Sequence, residues 1–331
     1  MAEPDIHIQP IGSLDTDRIW SLLLDVNAFA RACPRPQEFL QIVISPDNIH
    51  LTNDVMSSHS GEEIVWIIRL CERDFSNEKL PVSTWDNLFQ IHHNQLAEDL
   101  DGSGMVSEYL PYALLPWKAA SLNRAVTVAH FAQSLDGKIA THTGNSRWIG
   151  NHENLLHAHR MRALCEGILI GKGTLTSDEP SLTVRHVPGQ NPQRIVLSSS
   201  PCNFESLMQS SGEEIWWVGG KDHPSDQVRC LAWESLDKEN PCEQLLEYLY
   251  QEGISTVFIE GGSRTTSAFL KESVIDIMQF HISPLVFGSG IPGIALPEIE
   301  EVDQSISFAS WTFLPIGDSM MFVGNPSPHD S

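Results

Sequence analysis

Two glycine-rich turns each follow an apolar run of strand length. They are Gly171-Lys-Gly-Thr174 and Gly261-Gly-Ser-Arg-Thr-Thr266. Glycine lets a phosphate group approach the backbone closely, and a helix that follows offers unpaired N–H groups and the positive end of its dipole. Neither turn is a Rossmann fingerprint, because Thr176 stands where the third glycine belongs, and neither is a Walker loop. Two such turns together favour nucleotide binding, although each alone is equally typical of a structural turn.

Charge is distributed unevenly along the 331 residues. The 20 basic and 43 acidic side chains give a formal charge of −23, which argues against nucleic acid and anionic membranes as partners. Residues 121–200 nevertheless hold 8 basic and 5 acidic side chains, whereas both flanking regions are strongly acidic. This distribution favours a local site for a small anion such as a phosphate. Chance placement of charges on a tolerant surface is the alternative.

Apolar strands alternate with helices from residue 125 onward. Strands are predicted at 125–132, 167–171, 194–197, 214–218, 256–259, 277–286 and 319–323, and helices at 151–163, 242–252 and 265–271. Such alternation predicts an α/β domain with a mostly parallel sheet that is flanked by helices. Ligands bind at the carboxyl ends of the strands in such sheets. Both glycine turns and Glu260 fall at predicted strand ends.

The first 120 residues predict a smaller α+β domain. We expect a helix over 20–29, a strand–turn–strand unit over 41–51 and a strand over 64–70. Apolar residues at helical spacing predict another helix over 85–96, with Ser83 or Thr84 as its cap. The Gly-, Ser- and Pro-rich segment 99–118 is expected to form the boundary to the second domain. No pattern in this first domain indicates a function.

The six cysteines are scattered and form no Cys-x-x-Cys pair, so we expect free thiols and no metal site. The start, Met-Ala-Glu-Pro-Asp, lacks the basic and apolar regions of a secretion signal. No run approaches the ~18 apolar residues of a membrane span. These features predict a cytoplasmic protein.

A longer set of motifs is more specific. Its members are Ser134-Leu-Asp-Gly-Lys138, Ser146-Arg-Trp148, His159-Arg-Met-Arg162, Gly171-Lys-Gly-Thr174, Asp178-Glu-Pro-Ser-Leu-Thr-Val-Arg185, Ile259-Glu-Gly-Gly262 and Ser283-Pro-Leu-Val-Phe-Gly288. In their order and spacing, over roughly residues 124–324, they resemble the reductase domain of bacterial riboflavin biosynthesis. The resemblance implies a dihydrofolate-reductase-like fold over residues 121–326. It also implies NADPH-dependent reduction of the ribosyl group of 5-amino-6-(5-phosphoribosylamino)uracil to ribityl, and a homodimer.

The resemblance also implies site residues. Cofactor contacts fall on Ala132, Trp148, Gly171, Thr174, Asp178, Gly262, Ser263, Arg264, Thr265 and Thr266. Substrate contacts fall on Ser146, Arg162, Leu182, Arg185 and Glu260. The two arginines are suited to bidentate phosphate binding, and Glu260 to the N–H donors of a pyrimidine. Lys138 is a candidate to stabilise or protonate the open-chain sugar while hydride arrives at C1′, so Lys138 and Glu260 are the expected catalytic residues.

Two departures from the family leave alternatives open. The zinc deaminase that usually precedes this reductase carries His-x-Glu and Pro-Cys-x-x-Cys, and neither motif occurs here. A separate deaminase is therefore a possible partner in the pathway. Ser198 stands where the family commonly has Asp, which bears on cofactor preference. The alternatives are a reductase of another pterin- or pyrimidine-like substrate, and a non-catalytic module that binds a nucleotide or a partner protein.

Overall fold

The computed structural model describes residues 16–33, 39–45, 48–52, 64–70, 89–93, 104–232 and 239–327, with backbone alone for the four strands between 39 and 93. The chain divides into two compact units, Met1–Ser121 and Leu122–Ser331. None of the described helices combines the length and apolar character that a membrane crossing requires.

Helices of the first unit pack through an apolar stripe. Helix α1 (Thr16–Ala32) buries residues at the three- and four-residue spacing of an amphipathic helix, and it is followed later by α2 (Met105–Ala113) and α3 (Leu115–Leu122). Trp20 meets Tyr109 of α2 edge to face, with ring centroids 5.8 Å apart. The indole N–H of Trp117 donates to the Cys33 carbonyl at 2.8 Å. The expected boundary segment 99–118 is thus helical from Met105 onward.

Four antiparallel strands form the sheet of the first unit. They are β1 (Phe39–Ser45), β2 (Asn48–Thr52), β3 (Ile64–Leu70) and β4 (Phe89–His93), in the order β2-β1-β3-β4. The predicted strands over 41–51 and 64–70 are confirmed. The predicted helix over 85–96 is wrong, because 89–93 pairs with β3 in the register Trp66↔His93. Aromatic and β-branched residues favour a strand once a neighbouring edge is available, and this pairing overrides a short helical periodicity.

A nine-stranded sheet organises the described part of the second unit. The strands and helices are β5 (Val126–Ser134), β6 (Lys138–Thr141), α4 (His152–Leu164), β7 (Gly167–Gly171), α5 (Lys172–Asp178), β8 (Gln193–Leu197), α6 (Glu205–Ser210), β9 (Ile215–Val218), β10 (Val228–Leu231), α7 (Pro241–Gln251), β11 (Thr256–Ile259), α8 (Ser263–Lys271), β12 (Ile277–Ser283), β13 (Gly290–Pro292), a 3₁₀ turn (Val302–Gln304), β14 (Phe308–Ile316) and β15 (Ser319–Pro326). The sheet order is β10-β9-β8-β7-β11-β5-β12-β15-β14, and β6 pairs with β13 separately.

The first seven strands in that order are parallel, and the β15-β14 hairpin is antiparallel. Leu245, Leu246 and Phe269 from α7 and α8 cover one face, packing on Phe131 and Ile259 of the central strands. Helices on a mostly parallel sheet confirm the predicted α/β class. The sequence patterns did not predict β6, β10, β13, β14, α5 or α6.

The predicted helix over 151–163 is confirmed as α4, and Asn151 caps its first turn. The Asn151 side chain accepts a hydrogen bond from the Asn154 N–H at 2.8 Å. Its amide also donates to the Ile316 carbonyl and to Asp318, at 2.7 and 2.8 Å. One side chain therefore starts α4 and fastens it to the β14-β15 hairpin.

Candidate active site

The carboxyl ends of neighbouring parallel strands meet at one edge of the large sheet. β7, β11, β5 and β12 lie side by side, and Gly171, Glu260, Lys138 and Ser283 stand at or just after their ends. This is the edge at which sheets of this class bind ligands. Three of the predicted site residues, Gly171, Glu260 and Lys138, thus lie along one edge of the sheet.

The two glycine turns lie against each other. A Cβ atom added to Gly171 would overlap the Thr265 hydroxyl, and one added to Gly262 would lie 3.3 Å from the Thr174 hydroxyl. Gly171 caps α5 and Gly262 caps α8, neither with a side-chain hydrogen bond to the helix. Backbone N–H groups at both helix starts remain available to an anionic ligand. Four predicted cofactor residues are therefore brought together in one cradle.

Ser263 adds an unsatisfied polar group to the start of α8. Its side chain is 8% exposed, and its hydroxyl has no hydrogen-bond partner among the described residues. Thr266 is fully buried and its hydroxyl approaches the Gly261 carbonyl, whereas Arg264 is exposed. A buried hydroxyl without a partner costs about 1–3 kcal/mol, and an oxygen-rich ligand at this turn would remove that cost.

A bidentate ion pair joins two predicted substrate residues. Arg162, in the last turn of α4, donates from Nε and Nη2 to the two Glu260 oxygens, at 2.7 Å each. Its Nη1 donates to the Thr183 carbonyl at 3.1 Å. The two side chains are 11% and 18% exposed. The fork of Arg162, which we expected to bind a phosphate, is thus engaged by Glu260 and holds that carboxylate in place.

Arg185 presents the neighbouring guanidinium to solvent. Its Nη1 donates to the Thr183 hydroxyl at 3.0 Å, and its backbone N–H donates to His159 Nδ1 at 3.0 Å. Thr183 therefore connects Arg185 to the Arg162–Glu260 pair, through its hydroxyl on one side and its carbonyl on the other. Of the two predicted phosphate ligands, Arg185 is the one whose side chain is exposed.

The turn before Lys138 is clasped by an aspartate. Asp136 accepts from the Ser134 hydroxyl at 2.6 Å and from the backbone N–H groups of Phe287 and Gly288, at 3.0 and 2.7 Å. These bonds, the one from Ser134 above all, lower the pKa of Asp136 to about 2. The Ser134 hydroxyl also accepts from the Lys138 N–H at 3.0 Å. The Lys138 ammonium itself has no hydrogen-bond or ion-pair partner among the described residues.

Positive φ angles occur at or beside three further predicted site residues, Trp148, Asp178 and Leu182. Trp148, Glu179 and Leu182 adopt positive φ angles of 70°, 43° and 55°. Trp148 is 90% exposed and so is not a core residue, whereas Leu182 is 1% exposed. Such conformations cost about 1–3 kcal/mol each and cluster at functional sites.

Two predicted residues near the strained positions approach each other. Ser146 lies 3.5 Å from an Asp178 carboxylate oxygen, which also accepts from Ser177 at 2.8 Å. Ala132, half-buried on β5, pairs with His281 of β12. No cluster of three or more metal-binding side chains occurs in the part of the chain that the structure describes.

The family model of the RibD C-terminal domain matches residues 125–312, more than half of the chain. The chain belongs to this family. The predicted resemblance is therefore confirmed, and the matched range includes every candidate site residue.

Curated relatives match more than half of the chain. RibD of Aquifex aeolicus is 30% identical over 207 residues, which cover 59% of this chain and 53% of that protein. The 2,5-diamino-6-ribosylamino-4(3H)-pyrimidinone 5′-phosphate reductase of Methanothermobacter thermautotrophicus is 31% identical over 192 residues, covering 55% of this chain and 87% of that protein. The chain thus spans about half the length of the RibD protein it matches and most of the archaeal reductase.

Among solved structures, Acinetobacter baumannii RibD aligns with a TM-score of 0.62 at 16% identity, covering 94% of this chain and 98% of that chain. The Thermotoga maritima deaminase/reductase aligns with a TM-score of 0.54 at 23% identity, covering 70% and 62%. These likenesses show a shared fold.

Ser198, at which the resemblance led us to expect Asp, shapes a turn at the end of β8. Its hydroxyl donates to the Ser200 carbonyl at 2.7 Å and accepts from the Ser200 N–H at 3.1 Å. An aspartate at this position is equally able to accept from that N–H, because Asp and Ser share this turn chemistry. Lys172 reaches the same turn and donates to the Ser200 hydroxyl at 2.8 Å.

Sequence reasoning missed the roles of Thr183 and His159. Thr183 lies within the Leu-Thr-Val-Arg motif, but the use of both its carbonyl and its hydroxyl depends on tertiary packing. The three-residue spacing of His159 and Arg162 placed them on one helix face, which is a signal of shared surroundings. The contact from His159 to the Arg185 backbone spans 26 positions and has no local signature.

Proposed function

We propose that this chain is an NADPH-dependent reductase of riboflavin biosynthesis that converts the ribosyl group of 5-amino-6-(5-phosphoribosylamino)uracil to ribityl. The network from Glu260 through Arg162 and Thr183 to Arg185 carries the proposal. It joins Glu260 to Arg162, Thr183 and Arg185 of the net-positive segment 121–200, and so sets a held carboxylate close to an exposed guanidinium. The RibD and reductase names of the relatives are consistent with this chemistry.

The substrate is recognised at two points. The exposed Arg185 guanidinium binds the 5′-phosphate through charge-assisted hydrogen bonds. Glu260 accepts hydrogen bonds from pyrimidine N–H groups, and its bidentate pair with Arg162 fixes the carboxylate plane. Ser146 and Leu182 complete the substrate contacts that we propose.

The glycine cradle fits a dinucleotide. Two helix starts without side-chain caps and the unsatisfied Ser263 hydroxyl are features that a bound pyrophosphate would explain. Ala132, Thr174 and Asp178 are further proposed contacts, together with the exposed Trp148 ring, which is free to stack. NADPH, when bound, supplies a hydride.

Lys138 serves as the proton donor. Its ammonium group has no competing partner among the described residues, and the clasped turn around Asp136 holds its backbone. The proton passes from Nζ to the heteroatom bonded to C1′ of the open-chain sugar. With the hydride at C1′, this gives the two-electron reduction of ribosyl to ribityl.

Purified protein mixed with NADPH and the deaminated substrate tests the proposal, by loss of reduced-nicotinamide absorbance and by detection of the ribityl product. Lys138→Ala is expected to lower kcat by about 10²–10⁴-fold while both ligands still bind. Lys271→Ala, at an exposed lysine at the end of α8, is the matched control. Unchanged turnover in Lys138→Ala would remove the proposed role of Lys138, and absence of NADPH binding by the unmodified protein would refute the enzyme assignment.

A second candidate substrate is the 2-amino precursor that has not been deaminated. The archaeal relative is named as a reductase of such a pyrimidinone. The match covers 87% of that relative, which favours this alternative. Competition between the two pyrimidines for turnover distinguishes them, because the better substrate has the higher kcat/KM.

A homodimer is the proposed assembly. Strand β14 lies at an edge of the large sheet and exposes Trp311 and Phe313, which are 55% and 49% accessible. Both rings pack on Phe322 of β15, so the three aromatic side chains form one apolar surface. Among the described strands none pairs with the outer edge of β14, and an apolar edge strand suits a second copy of itself. A separate deaminase and a cytoplasmic location complete the proposal.

A further inference from the structure

His159 is a buried histidine with one hydrogen bond to the residues that the structure describes, and that bond reaches the proposed phosphate ligand. The ring lies on α4 and is fully buried, and its Nδ1 accepts the backbone N–H of Arg185 at 3.0 Å. We propose that His159 is a positioning residue, which fixes the Arg185 backbone and thereby aims its guanidinium at the substrate phosphate. This inference rests on the proposed function for the identity of that phosphate.

The bond requires a neutral ring. Burial above all, followed by the positive charge of Arg162 and the proximity of His186 and Arg185, lowers the pKa of His159 to about 3. Because Nδ1 accepts a hydrogen bond, the single proton of the neutral ring resides on Nε2. A protonated ring would point an Nδ1–H donor at the Arg185 N–H donor and break the contact. The positive charges of Arg162 and Arg185 thus help to keep the ring neutral, and the neutral ring accepts the hydrogen bond from the Arg185 backbone.

The segment before Arg185 is pinned at successive positions. The Val184 N–H donates to the Asn191 side chain at 2.8 Å, and the Thr183 carbonyl accepts from Arg162 at 3.1 Å. Leu182, just before them, has a positive φ of 55°. The hydrogen bond to His159 is the one that holds the backbone of Arg185 itself. Its loss frees the residue that carries the guanidinium, while the preceding residues stay anchored.

Stability alone does not favour histidine here. The Nε2–H group is buried and has no hydrogen-bond partner among the described residues. A buried donor without a partner costs about 1–3 kcal/mol, which an apolar side chain of similar size avoids. His186 contacts the His159 ring edge to face, with centroids 4.6 Å apart. An apolar aromatic side chain at position 159 could make the same contact. What only an acceptor provides is the bond to Arg185.

Two variants distinguish a role of His159 as a hydrogen-bond acceptor from a role in packing alone. His159→Leu removes the acceptor, whereas His159→Asn places an amide oxygen near the position of Nδ1. We expect His159→Leu to raise KM for the phosphorylated substrate roughly tenfold, with kcat and the Kd for NADPH within about twofold. His159→Asn is expected to restore KM to within about threefold, and His152→Asn, at an exposed histidine of the same helix, is the control.

A double-mutant cycle supplies the decisive comparison. In an Arg185→Ala background, His159→Leu is expected to add no further increase in KM, because the guanidinium that it positions is already absent. An equal tenfold increase in both backgrounds overturns the proposal, and so does a matching fall of kcat with no change in KM.

Two measurements do not depend on turnover. ¹⁵N NMR of the unmodified protein at pH 7 is expected to show His159 Nδ1 without a proton, and a protonated Nδ1 overturns the proposal even if every variant misfolds. If the protein does not oxidise NADPH with either pyrimidine, the proposed function fails. Binding of ribose 5-phosphate then tests the positioning role, since His159→Leu should weaken it about tenfold, and equal affinities refute the role.

Discussion

Acidification from pH 7 to pH 5 should destabilise this protein through three buried histidines. His130, His159 and His281 are almost completely buried, and burial is the main reason that the pKa of each is lowered. The pKa falls to about 3 for His159 and about 4 for His281. In the unfolded chain each histidine titrates near pH 6.5. Between that value and the folded pKa, the unfolded state binds more protons, so the free energy of unfolding falls as the pH falls.

The size of the effect follows from the width of that window. Going from pH 7 to pH 5 crosses about 1.5 units below the unfolded pKa, which is worth about 2 kcal/mol each for His159 and His281 and about 4 kcal/mol together. His130, whose pKa is lowered by burial, changes the stability in the same direction. Carboxylates such as Asp136, whose pKa is lowered to about 2, change protonation at lower pH and add little here. Domains are typically stable by ~5–15 kcal/mol, so a loss of this size is large.

Urea unfolding at pH 7, 6 and 5, followed by tryptophan fluorescence, measures the loss. His281→Leu should reduce the difference between pH 7 and pH 5 by about 2 kcal/mol, since its share of the proton uptake is gone. His152→Asn, at an exposed position on α4, should leave the difference unchanged. Equal stability at pH 7 and pH 5, or an unaltered pH dependence in His281→Leu, would refute the reasoning.

Three further changes have distinct expected outcomes. Gly171→Val places a side chain against Thr265 and should raise the Kd for NADPH at least about tenfold in a fluorescence titration, whereas Gly212→Ala, whose Cβ meets nothing within 4 Å, should not. Trp148→Ala should weaken NADPH binding while changing the free energy of unfolding by less than about 0.5 kcal/mol, because the ring is 90% exposed. Asp276→Ala should lower the free energy of unfolding of the second unit by about 3–5 kcal/mol, measured by urea denaturation. The substitution removes the carboxylate to which the largely buried Arg124 donates at 2.8 and 2.9 Å.

The strands that position the site were predictable because their signals are local. Continuous apolar runs such as 167–171 and 256–259 are typical of strands buried on both faces, and both form the centre of the parallel sheet. Parallel order then places their carboxyl ends at one edge, which makes the meeting of the two glycine turns an expected result. The helix over 85–96 was wrong for the converse reason, since pairing with β3 is not a local property.

Side-chain partners in the site were less predictable. The residue types of Arg162 and Glu260 indicated charge recognition, but their bidentate bond joins positions 98 residues apart. The same holds for Asp136, whose Asp-Gly turn was recognisable although its bonds to Phe287 and Gly288 were not. Long-range hydrogen bonds depend on how elements pack, and sequence spacing carries no record of them.

The proposed function depends above all on recognition of the 5′-phosphate of a ribosylaminopyrimidine by Arg185. The most direct measurement compares kcat/KM for the phosphorylated substrate and its dephosphorylated form, in the unmodified protein and in Arg185→Ala. We expect removal of the phosphate to lower kcat/KM about 10- to 100-fold in the unmodified protein and less than about threefold in Arg185→Ala. In the variant the charge-assisted bond is absent with both substrates, because the guanidinium is gone. An equal loss in both proteins would contradict the claim.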